Sequence, residues 1–98
     1  MEELIKICLV NMRISTNNMD VYDQVEQLIW SCLADLKAKG LKSSLFDDVD
    51  KITDPLIIQC IKLYTKSYFN TQEKDSERLT KSYELLRDSL SLSGDYVE

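Results

Sequence analysis

Residues 53–69, TDPLIIQCIKLYTKSYF, limit what this chain can fold into more than any other stretch. Thr53 or Asp54 can cap the first free backbone N–H groups of a helix, and Pro55 suits the first helical position, where a missing N–H leaves nothing unpaired. At about 100° per residue, Leu56, Ile57, Cys60, Ile61, Leu63, Tyr64 and Tyr68 cover one broad arc, which Ile58 and Phe69 widen. Gln59, Lys62 and Lys66 form the polar strip. A helix apolar round most of its circumference needs neighbours on several sides, so residues 53–69 predict the central helix of a bundle or of an assembly.

The rest of the chain can supply those neighbours. It has 98 residues, 44% hydrophobic and 30% charged, with two glycines and one proline, so it carries enough apolar material for one core and few helix breakers. The fold class expected is all-α, a small bundle of four main helices at about 2–12, 19–39, 54–69 and 76–90. In the first helix Leu4, Ile5, Cys8, Leu9 and Met12 share a side, while Ile7 and Val10 fall outside that stripe. Ser15, Asn17 or Asn18 can cap the second helix, in which Val21, Tyr22, Val25, Leu28, Ile29, Cys32, Leu33 and Leu36 recur at three- and four-residue steps. Gly40 is placed to end it in a left-handed conformation. Acids near its start (Asp20, Asp23, Glu26) and lysines near its end (Lys37, Lys39, Lys42) suit the helix dipole.

Residues 41–52 read as an irregular connection, with Leu45, Phe46, Val49 and Ile52 among Asp47, Asp48 and Asp50. Those acids lack the glycine and the alternating oxygens of a calcium loop. Residues 70–74 read as a polar turn, and Asp75 or Ser76 can cap the last helix, whose seam is Leu79, Tyr83, Leu86 and Leu90. Glu77 with Lys81 and Glu84 with Arg87 are spaced as surface ion pairs. Residues 1–92 are expected as the domain and 93–98 as a flexible C-terminal tail.

Several function classes lose support at this stage. A formal charge of −5 and the absence of histidine disfavour an electrostatic grip on nucleic acid or membrane, and leave no imidazole to act as a base. No catalytic residue, cofactor site or metal site is expected. Cys8, Cys32 and Cys60 are widely spaced on apolar faces and read as buried free thiols. The opening Met-Glu-Glu is unlike a secretion signal and no apolar run would span a bilayer, so the reading is a soluble intracellular protein. The residues point to a protein that works by contact. Trp30, off the stripe of its helix, either laps over the edge of the core or touches a partner.

Three stretches in order carry a family resemblance. They are Asn11-Met12-Arg13-Ile14-Ser15 after a short first helix; Asp54-Pro55-Leu56-Ile57 leading to Leu63-Tyr64 and Tyr68-Phe69; and Ser82-Tyr83-Glu84-Leu85-Leu86 followed by residues 90–96, LSLSGDY. Together they resemble the small phage head-tail connector proteins, also described as phage DNA-packaging proteins. Residues 41–52 match no pattern of that family. The resemblance implies a non-enzymatic subunit that forms a ring of about a dozen copies beneath the portal of the capsid. Its partners would be itself, the portal and a tail-completion protein. DNA would pass through the ring, and the protein would sit in the host cytoplasm during assembly and then in the neck of the virion. On that reading the subunit interface would use apolar residues left outside the core stripes: Trp30, Ile58, Phe69, Leu85 and Leu92, with Tyr96 in the tail. The alternative is a small helical adaptor that binds a single protein as a monomer or dimer.

Overall fold

The computed structural model describes residues 1–69 and 73–98, the side chains of Glu73 and Lys74 aside. Its four α-helices are α1 (Glu2–Asn11), α2 (Met19–Ala38), α3 (Pro55–Tyr68) and α4 (Glu73–Ser91). The all-α bundle expected from periodicity is therefore present. The α3 helix packs against α1, α2 and α4, as its apolar circumference requires.

Capping chemistry fixes where the helices begin and end. Asn18 accepts from the Asp20 N–H at 2.8 Å to start α2. Asp54, rather than Thr53, starts α3 by accepting from the Leu56 and Ile57 N–H groups at 2.9 and 3.3 Å, with Pro55 in the first turn. Gly40 follows α2 with φ +92°, a conformation in which a side chain would be strained. The start of α4 differs from expectation. Glu73 and Lys74 are already helical, and the Ser76 hydroxyl donates to the Ser67 carbonyl at 2.7 Å, tying the two helices instead of capping one. The rest of the turn read at 70–74 lies outside the described residues.

Contacts between α3 and α4 run in opposite senses along the two helices. Ser67 meets Ser76, Tyr64 packs edge-on against Tyr83 with centroids 5.1 Å apart, and Asp54 meets Tyr96 beyond the end of α4. The pair is thus antiparallel. The core they enclose is built from Leu4, Ile5, Cys8 and Leu9 of α1, Val25, Ile29, Cys32, Leu33 and Leu36 of α2, Ile57, Cys60 and Ile61 of α3, and Tyr83 and Leu90 of α4. Leu79 is also buried on the α4 seam.

Two expectations about burial are corrected. Leu56 and Tyr68, assigned to the core-facing arc of α3, are 41% and 54% exposed, whereas Thr65 and Ser67 are buried. The buried arc has moved toward Thr65 because that side chain satisfies itself locally. Its hydroxyl donates to the Ile61 carbonyl at 2.9 Å, with Lys62 O also within reach at 3.1 Å, and Ser67 donates to Tyr64 O. A hydroxyl already bonded to its own helix can be buried with little penalty.

Residues 41–52 form two short 3-10 turns, Ser43–Leu45 and Val49–Lys51, and bury Leu41, Phe46 and Ile52. Both ends of the chain are pinned to this connection. The N-terminal ammonium of Met1 pairs with Asp50. Residues 93–98, expected as a flexible tail, instead lie against it. Leu41 and Val97 form an isolated antiparallel bridge, the Lys42 N–H donates to Tyr96 O at 2.9 Å, and the Tyr96 hydroxyl donates to Asp54 at 3.0–3.1 Å. The physical reason is that Tyr96 brings both an apolar ring for the core and a hydroxyl for a carboxylate.

Candidate interaction surface

The six residues read as interface candidates occupy different environments. Leu85, on the outer side of α4, and Leu92, in the turn one residue past the end of that helix, are 67% and 88% exposed and stand seven residues apart. Trp30 is half exposed and lines a shallow groove with Leu33 and Ala34 of α2 and Phe46 of the connection. Ile58 and Phe69 are half-buried against the chain's own core, so much of their apolar surface is already used internally. Tyr96 is half-buried as well, with its hydroxyl committed to Asp54. The grooves that hold Trp30 and Phe69 are separate, so the six do not converge on one patch.

Exposed apolar positions also occur where the sequence did not single out an interface. Val10 is 77% exposed and Met19 67%. Val10 and Ile7, both outside the α1 stripe, line an open groove of about 430 Å³ with Glu3, Lys6 and Asn11 of the same helix and Lys62 of α3. The signal was present in the α1 periodicity, because aliphatic residues off the stripe of an amphipathic helix turn wholly, as Val10, or partly, as Ile7, away from the core.

Behind these surfaces lies a polar network that the sequence did not disclose. Asp35 of α2 accepts at Oδ2 from the Tyr83 hydroxyl at 2.6 Å and from Arg87 Nη1 at 2.9 Å. Arg87 also donates through Nε to Asp88, and Lys39 Nζ lies 3.5 Å from the same Asp88 oxygen. The guanidinium sits 5.6 Å from the centroid of the Tyr83 ring, and its side chain is only 12% exposed. The surface pair of Arg87 with Glu84 that their spacing predicts is replaced by the reach of Arg87 to Asp35, because a partly desolvated carboxylate attracts it more strongly than a solvated one.

Burial alone would raise the Asp35 carboxyl, but the hydrogen bonds from Tyr83 and Arg87 and the Arg87 charge outweigh it and hold the group below its usual range. Burial, with the Cys32 thiol and the Asp35 charge, drives the Tyr83 phenol upward. The three thiols are raised by burial, Cys60 to about 12, and Cys32 also feels the fields of Cys60, Asp35 and Cys8. Such thiols are poor nucleophiles at neutral pH. Among the described residues no three His, Cys, Asp or Glu side chains are grouped to hold a metal ion, and no helix is long and apolar enough to cross a membrane.

What the geometry offers is surface for contact: the Val10 groove, the Leu85 and Leu92 strip, and the Trp30 groove, carried on a bundle fixed by the Asp35 network. No family model, curated protein or solved structure matches the chain.

Proposed function

We propose that the chain is a head-tail connector subunit of a phage or prophage, a non-enzymatic protein that assembles as a ring beneath the portal and joins capsid to tail. The observation that carries the reading is the apolar surface left over by a complete bundle. Leu85, Leu92 and Val10 are more than two-thirds exposed while the core is already closed. Isolated exposed aliphatics are ordinary, but an outward strip on α4 and a groove on α1 suit a subunit with neighbours on two sides. A net charge of −5 suits a passage that DNA traverses without adhering. The ordered family-like stretches add to this.

The half-exposed Trp30 over its own groove favours a second reading, an adaptor that docks one protein there. Incubation with purified portal rings separates the two. A connector should co-sediment with the portal at a fixed stoichiometry and be visible as an added ring by negative-stain imaging. Failure to bind portal would refute the connector, and loss of all partner binding through Trp30→Ala alone would support the adaptor.

A further inference from the structure

Two exposed apolar surfaces on different helices match each other in length and charge. The groove on α1 is lined by residues 3, 6, 7, 10 and 11, one face of a helix, and so runs about 12 Å at 1.5 Å per residue. On α4 and the turn that follows it, Leu85 and Leu92 span about 10 Å at a similar rise. The groove is lined by the aliphatic Ile7 and Val10 and by Lys62, Lys6 and Glu3, two cations against one acid. Lys62 makes no ion pair among the described residues, and Lys6 meets only Glu2, at 3.6 Å on the surface. Beside Leu85, Glu84 is exposed and without an ion-pair partner among the described residues; Asp88, between the two leucines, is half exposed and already meets Arg87 and Lys39.

We propose that the α4 strip of one copy seats in the α1/α3 groove of a second copy, Leu85 and Leu92 covering Ile7 and Val10, with Glu84 facing Lys62. The occupant is another molecule of this chain because the chain itself presents the complementary length, aliphatic character and charge. The two patches are different surfaces, so the contact is head-to-tail. Such a contact leaves a free groove at one end and a free strip at the other, and it continues into a ring or an open filament rather than stopping at a dimer. Rim pairs of this kind set register more than affinity, and most of the attraction comes from the aliphatic contact. The inference rests on the self-assembly part of the connector reading and supplies the faces that reading lacks.

Sedimentation velocity on the whole chain over rising concentration tests it, with helical circular dichroism as the check on folding. Wild type should grow past a dimer. Val10→Asp, which spoils the groove, and Leu85→Asp, which spoils the strip, should each stay monomeric, since every contact needs one of each surface. Mixed in equal amounts, the two variants still hold one intact groove and one intact strip between them, and should form a heterodimer that grows no further. Lys62→Glu and Glu84→Lys should each weaken association about tenfold, and the two combined in one chain should restore it. A Val10→Asp variant that still self-associates overturns the face assignment while leaving the ring reading intact. A wild type that remains monomeric at every concentration overturns the proposal, and portal co-sedimentation then judges the connector reading separately.

Discussion

The Tyr83 hydroxyl and the Asp35 carboxylate, 48 residues apart in sequence, meet at 2.6 Å, and Arg87 closes on the same oxygen from one turn further along α4. A carboxylate holding two donors, one on a nearly buried guanidinium, joins α2 to α4 through a single atom. Replacing either end of this arrangement has unequal consequences.

Tyr83→Phe removes the hydroxyl that donates to Asp35 and accepts from Cys32 Sγ at 4.0 Å, and leaves Asp35 with Arg87, so it should cost about 1–2 kcal/mol. Asp35→Ala leaves the Tyr83 hydroxyl without its acceptor and removes one of the two carboxylates that Arg87 meets, Asp88 remaining, and should cost about 2–3 kcal/mol. Urea unfolding of the two variants checks the order. Equal losses would show that Asp88 alone satisfies Arg87.

The network also makes stability depend on pH. Asp35 has its folded-state pKa below the unfolded one, so its contribution is present above the unfolded value and is lost as pH falls through the folded value. Asp88 is shifted in the same direction, chiefly by the hydrogen bond from Arg87. Wild type should therefore lose stability as pH falls below about 4. Asp35→Asn should be less stable at pH 6 and have a flatter acid limb in thermal melts. An unchanged acid limb would assign that pH dependence elsewhere.

Cys8, Cys32 and Cys60 are fully buried and their thiols are raised above the ordinary value. A colorimetric disulfide reagent at pH 8 should react with none of them in the folded protein within minutes, and with all three in strong denaturant. Prompt reaction of one thiol would reveal local opening at its helix.

Gly40 and Gly94 differ in what they contribute. A Cβ would meet nothing within 4 Å at either position, but Gly40 alone has a positive φ, +92°. Gly40→Ala should cost about 1 kcal/mol through backbone strain alone, with no steric clash to relieve. Gly94→Ala should fall within about 0.5 kcal/mol of wild type. Melting temperatures of the pair separate strain from packing.

Local chemistry was legible in the chain. The Asp54-Pro55 start, the Gly40 stop, the α2 stripe and the α4 seam all follow from periodicity and caps, because these depend on residues within one or two turns. The outward position of Leu85 could be read for the same reason, whereas Leu92 falls just past the end of α4. Other features depend on who meets whom. The burial of Thr65 and Ser67 has no signal in apolar periodicity, since a hydroxyl bonded to its own helix behaves as nearly apolar. Arg87 could not be assigned to Asp35 rather than Glu84 without knowing that the bundle brings Asp35 of α2 within reach of the α4 side chains. Nor could Tyr96 be matched with Asp54, although both groups have obvious hydrogen-bonding capacity.

That last contact has a consequence for the order of folding. Asp54 caps α3 through neighbours two and three residues away, whereas its bond to Tyr96 closes a loop across 42 residues. Loop closure of that length costs roughly 3 kcal/mol in chain entropy before any contact repays it. As a hypothesis, the same carboxylate therefore takes part in one of the earliest events, nucleation of the central helix, and in one of the last, closure of the strap. Tyr96→Phe should then speed unfolding and leave the refolding rate nearly unchanged in stopped-flow measurements, while Asp54→Ala should also slow refolding. Slower refolding of Tyr96→Phe would place the strap in the folding nucleus instead.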